Sequence, residues 1–499
     1  MLHQTMRSAQ VWAAALTLAA RLSCAPAIAQ TDAGLAPPDS TVRQQLEELR
    51  RQNELMLRQI DELRRRLDSF GSAAPPPTAS PSAGPRPSPQ EALDSALARS
   101  GAGAAEPAGA PGGGPLLKFG PAALRLVDVS MVVDTAAGWS SEPDQSLQTL
   151  QAGGHDPRKR GFTLQAAELA LSATVDPHFS AFTNIVYFID PPSGESAVEL
   201  EEAFVLSQAL PHGLQLKAGQ YLTDFGQVNP THPHAWEWMD QPVVLSRMFG
   251  GDGMRAPGAR VGWLLPVPWY SQLIVGAQNP NGETMASFVS EAEVGGRPFV
   301  DRHVSGPDDL VWSARWEGST DLTPTTTLKF GVSGVTGPNA SGPGERTDIY
   351  GADLKLKWRP EENERGWPFV LWQTEVVGRS FGVGAYTDPD NAANDLPGAT
   401  LHDWGFFTQL LYGFTPGWAA GLRYEYAGGD GESVGGRGAD PFRDNRQRLS
   451  PLLIWQLSEF SRLRLQYNHD AADHLEGGDA DSVYLGLEVL FGAHPAHSF

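Results

Sequence analysis

Arg462-Leu463-Arg464-Leu465-Gln466-Tyr467-Asn468 alternates polar with apolar side chains without a slip. A period of two is that of a β-strand, and charges in mid-strand mean that one face meets water. The same texture recurs outward from this stretch. Asp353, Lys355 and Lys357 alternate with Ala352, Leu354, Leu356 and Trp358, while Arg423 and Glu425 alternate with Leu422, Tyr424 and Tyr426. Val483, Leu485, Leu487, Val489 and Phe491 form one face of the last such run.

Such alternation suits a half-solvated sheet or a closed barrel with lipid outside and water inside. Two features favour the barrel. Aromatics gather at run ends (Trp139, Trp263, Trp269, Tyr270, Trp316, Trp358, Trp367, Trp404, Trp418), as interfacial girdles require. Short connections such as Val175 to His178, Pro211 to Gly213 and Thr415 to Gly417 also alternate with long polar ones near 140–159, 190–196, 222–257, 279–308, 336–346, 379–401, 428–446 and 470–481. Seven tight turns and eight long loops join sixteen strands, so residues 116–499 read as an all-β transmembrane barrel with about sixteen antiparallel strands.

The N-terminus places the chain. Arg7, the apolar run Val11 to Ala20 and the small-x-small site Ala27-Ile28-Ala29 read as a signal peptide over 1–29. Cys24 is the single cysteine, so the exported chain has no disulfide to stabilise it. No later segment approaches the ~18–20 consecutive apolar residues of a membrane helix, and lipid admits only helices and closed barrels.

Residues 30–40 read as disordered, and 41–70 as a coiled coil. Leu46, Asn53, Ile60 and Leu67 take the a positions, with Val42, Leu49, Met56, Leu63 and Phe70 at d. That seam predicts self-association, with a trimer favoured and Asn53 fixing register. Residues 71–115 are rich in Pro, Ala, Gly and Ser and read as a disordered linker.

The formal net charge is −21, and Arg7 and Arg21 leave with the signal peptide. This excludes nucleic acid as a partner, which needs a basic face. No Gly-x-Ser-x-Gly elbow, His-Glu-x-x-His helix or phosphate loop occurs, so no enzyme and no cofactor is expected.

The closing strand with its terminal aromatic Phe499 resembles the assembly signal of bacterial outer-membrane barrels. The order coil, linker, barrel resembles trimeric porins, including the phosphate-selective group. Gly219-Gln220-Tyr221, Asn229-Pro230-Thr231-His232-Pro233-His234, Asp240-Gln241-Pro242 and Gly251-Asp252-Gly253 resemble a porin-like family often labelled zinc-regulated, TonB-dependent outer-membrane receptors. A TonB-dependent receptor has a plug domain ahead of its barrel, where this chain has a coil and a tether. The resemblance implies an outer-membrane porin passing small polar or ionic solutes by diffusion, its coil in the periplasm. The alternatives are a zinc-linked uptake barrel and a structural tether to peptidoglycan.

By parity, Lys217, Arg315, Lys329, Lys355, Lys357, Glu375, Arg423, Glu425, Arg462 and Arg464 line the pore, interleaved with Glu168, Glu199, Glu201, Asp353 and Glu488. The longest connection, 222–257, is expected to fold inward as a constriction. It carries Asp224, Trp236, Trp238, Asp240, Arg247, Asp252 and Arg255, and its His232-Pro233-His234 is the candidate metal site. His494 and His497 form a second, weaker candidate.

Overall fold

The computed structural model describes residues 116–119, 122–125, 127–290, 297–430 and 440–492. The signal peptide, coiled coil, linker, His494, His497 and Phe499 lie outside the described residues. The chain forms β1 (Leu116–Phe119), β2 (Ala122–Arg125), β3 (Asp128–Ser140), α1 (Asp144–Leu150), β4 (Gly161–Thr174), β5 (Phe179–Ile189), β6 (Ser196–Ser207) and β7 (Leu214–Leu222). α2 (Val243–Phe249), β8 (Arg255–Leu264), β9 (Tyr270–Gln278), β10 (Val311–Thr323), β11 (Thr326–Pro338), β12 (Arg346–Trp358) and β13 (Phe369–Val383) follow. The series ends with β14 (Ala399–Thr415), β15 (Trp418–Gly429), β16 (Arg446–Ser458), β17 (Ser461–Ala472) and β18 (Asp479–Gly492).

Strands β3 to β18 form one closed antiparallel barrel of sixteen, each paired with its sequence neighbours and β18 returning to β3. The seam runs from Ser482 opposite Ser140 to Gly492 opposite Ser130. Both barrel termini therefore sit at the end of the short turns, as an even strand number requires. The barrel begins at Asp128. The alternation near Leu116 belongs instead to β1 and β2, which pair only with each other among the described strands.

Alternation sorts the wall. On β13, Trp372 and Val376 are 38% and 46% exposed, whereas Gln373 and Glu375 between them are buried. Trp139, Trp312 and Trp404 stand outward near the long-loop end, and Trp263 and Trp455 near the short turns, with Trp418 stacked on Trp455 at 5.4 Å. Trp367 departs from this expectation. It is 6% exposed and packs inward with Phe369, Trp238 and Leu411. It lies in a connection, where strand parity does not decide which way a side chain turns.

The outer face is apolar and the inner face carries the ion pairs, the order of a barrel set in lipid. Val376→Arg, mid-strand and outward, is expected to lower unfolding stability by about 2–4 kcal/mol in vesicles. Urea titration checks this; an unchanged midpoint would show that the position does not face hydrocarbon.

Candidate functional site

The connection between Leu222 and Arg255 does not hang outside the barrel. It crosses the lumen and is tied to both walls. Its base is clamped by Asn229, which donates to the Thr223 carbonyl (2.8 Å) and accepts from the Met254 amide (2.9 Å). Asp224 pairs with Arg260 on β8 at 2.9 Å. The amides of Gln227 and Val228 donate to Glu375 on β13 at 2.8 and 3.0 Å, and the Gln227 side chain donates to Asp353 on β12 at 2.6 Å.

On the far wall Arg462 donates to the carbonyls of His234 (2.6 Å) and Trp236 (2.8 Å). Trp238 is buried and its indole donates to the Ser450 carbonyl at 3.0 Å. Gly421 lies so close that a Cβ there would stand 2.8 Å from the Trp238 ring. Asp240 is fully buried and accepts from Arg423, from Arg448 (2.9 Å), from Gln466 (2.8 Å) and from Asn468 (2.7 Å). Burial alone would raise its pKa, yet the two guanidiniums and their amide neighbours hold its carboxyl well below the usual range.

Beyond Asp240, every residue of α2 is buried. Its apolar side chains join Phe225, Met285 and Phe288 against inward-facing Val335, Ile349, Val377 and Phe407. A Cβ at Gly405 would stand 2.8 Å from Val244, so glycine there lets the helix touch the wall. The long-loop half of the lumen thus holds an apolar core, which the reading of a uniformly polar interior missed. The paired residues Val376-Val377 and Phe406-Phe407, apolar at both parities, were its signal.

The inward arginines of the wall are matched. Arg315 pairs with Asp353 (2.6 Å) and Glu317 (3.1 Å), Arg423 with Glu425 (2.7 Å), Arg462 with Glu488 (2.9 Å), and Arg464 with Asp134 (2.7 Å). Lys329 reaches Glu317 at 3.2 Å, and Lys217 lies over the Phe204 ring at 4.3 Å. In the short-turn half, Lys329, Lys355, Gln373, Gln409 and Arg423 stand directly opposite one another across successive strands, a row without a carboxylate. Lys355, Gln373, Gln409 and Arg423 border a cavity of about 70 Å³ whose other side includes Trp236, Glu237, Trp238 and Asp240.

The remaining loop residues separate. Arg247 pairs with Asp444 at 2.7 Å, and Arg255, the first residue of β8, pairs with Glu199 and donates to the Asp252 carbonyl. His232 and His234 are brought together, their rings stacked at 5.8 Å. His232 Nδ1 lies 2.7 Å from Glu201 and its Nε2 2.9 Å from Glu202, while His234 Nδ1 lies 2.7 Å from Glu168. His155, which the sequence did not single out, enters from the 141–160 connection with Nε2 3.3 Å from Glu201. Burial disfavours its charged form, but Glu201 and Asp252 outweigh that and push its pKa up to about 10.

Asp240→Asn removes the charge that Arg423 and Arg448 share. The loss of a buried partner is expected to cost about 3–5 kcal/mol, and to open new cleavage sites within 223–254 under limited proteolysis. A variant as protease-resistant as the parent would show that Asp240 does not hold the segment.

No protein-family model matches the chain. An uncharacterized protein of Aquifex aeolicus (strain VF5) is 28% identical over 396 residues, spanning 75% of this chain and 80% of its own length. Among solved structures, the outer membrane channel DcaP of Acinetobacter baumannii superposes with a TM-score of 0.46 at 13% identity, over 73% of this chain and 97% of that one. An anion-selective porin from Comamonas acidovorans gives 0.44 at 10% identity, over 73% and 99%. What the chain's own geometry shows is a closed antiparallel barrel of sixteen strands, apolar outside and ion-paired inside.

Proposed function

We propose that the chain is an outer-membrane channel through which small polar or ionic solutes diffuse passively, with the 223–254 segment as its constriction. The carrying observation is the segment's anchorage on opposite walls, at Arg260 on β8 through Asp224 and, eight strands away, at Ser450 on β16, with Arg462 beside it on β17. A chain fixed at both walls narrows the path, and selectivity then rests with the groups left at the narrowing. Self-association as a trimer, and a periplasmic place for residues 41–70, belong to the same reading.

In planar bilayers the purified protein is expected to give small ohmic currents. Replacing 230–247 by a short Gly-Ser link is expected to raise the conductance several-fold. Folded protein that passes no current at any voltage overturns the proposal.

The carboxylate-free row bordering the narrowing favours anions at that level. Lys355→Gln is therefore expected to shift the reversal potential in asymmetric potassium chloride toward the cation value, leaving the conductance of similar size. An unmoved reversal potential would remove Lys355 from the conduction path.

A further inference from the structure

We infer that the chain binds one divalent transition-metal cation inside the barrel, at His232, Glu168 and Glu201, and that this ion fastens the lumenal segment to the wall. One ligand atom from each of the three residues lies within 4.8 Å of the other two. Imidazole nitrogen with carboxylate oxygens suits zinc and neighbouring borderline cations. The three come from separate parts of the fold: Glu168 from β4, Glu201 from β6 and His232 from the crossing segment. A shared ion would join all three.

Three observations beyond proximity point to a ligand. First, the wall is built irregularly here. Asn184 pairs with Glu202 and Ile185 with Leu200, so Glu201 is an extra residue in a β-bulge. Glu201 and Glu202 are both buried as a result, where regular alternation would turn one of them outward. Bulges of this kind re-aim side chains beside functional sites.

Second, Asn184 is 1% exposed and its single amide nitrogen faces Glu168, Glu201 and His232 at 3.4, 2.7 and 3.0 Å. An amide has two hydrogens for these three neighbours, and a cation among them makes good the shortfall. Third, five carboxylates, Glu168, Glu199, Glu201, Glu202 and Asp252, converge around three imidazoles, those of His155, His232 and His234, with Arg255 paired to Glu199. Each ring nitrogen of His232 faces a carboxylate, so the neutral ring, with a single N–H, leaves one contact to be met by a second proton or by a cation. Metal coordination through Nδ1, with Nε2–H donated to Glu202, satisfies both. His234, stacked on His232 and bound to Glu168, then orients the first ligand shell from behind.

This inference does not depend on conduction. Full-length protein, folded in detergent and freed of metal with a chelator, is titrated with zinc chloride by calorimetry. One equivalent is expected to bind in the micromolar range, and to protect 223–254 from protease. Glu168→Gln and His232→Ala are each expected to weaken binding at least tenfold, with heat-modifiable migration on gels reporting that the barrel has formed. Should His232→Ala fail to fold, Glu168→Gln carries the test, because it keeps the shape and hydrogen-bonding reach of the side chain. Absence of zinc heat in the parent protein overturns the inference. So does zinc binding that Glu168→Gln leaves unchanged, which would place the ion elsewhere, as at His494 and His497.

Discussion

Everything in this molecule follows from the rule that a backbone in hydrocarbon has no water to bond. Sixteen strands satisfy that rule when the last pairs with the first, and β18 on β3 is that closure. Closure fixes which residues face outward and so assigns the aromatic and aliphatic side chains to lipid. It also turns the alternate residues into a confined space, where each charge needs a partner. The arginines of β15, β16 and β17 find theirs within the wall or on Asp240.

The lumen is consequently a structured interior. Asp240 satisfies two guanidiniums from neighbouring strands, Glu375 accepts two backbone amides, and Ser450 offers a carbonyl to Trp238. These contacts are directional and enclosed, which makes them costly to leave half made. They convert a long connection into a fixed wall element. The lysine-bearing row is the contrast. Lys329 and Lys355 stand directly opposed, which weakens a sheet, and Glu317 at 3.2 Å from Lys329 offsets part of that cost.

The sequence made the barrel legible because strand alternation, turn chemistry and loop length are local properties. Sixteen strands, seven tight turns and the inward fold of the longest connection could each be read without coordinates. The site was harder. Lys355, Arg423 and Arg462 were placed inward by parity, and His232 and His234 were singled out by their spacing. Glu202 was missed because a bulge shifts parity by one. His155 was missed because it stands in another loop, and the meeting of 141–160 with 223–254 is long-range. Trp367 was misplaced because a turn residue obeys no alternation. The apolar half of the lumen was hidden by the expectation that water fills such barrels throughout.

That apolar half bears on how the barrel is filled. Val335, Ile349, Val377 and Phe407 face inward toward α2, and without the helix they would border an empty greasy hollow. Leu222 and Arg255, between which the segment runs, are cross-strand partners at one rim, so the helix enters through the mouth of the cylinder and fills that hollow from one side.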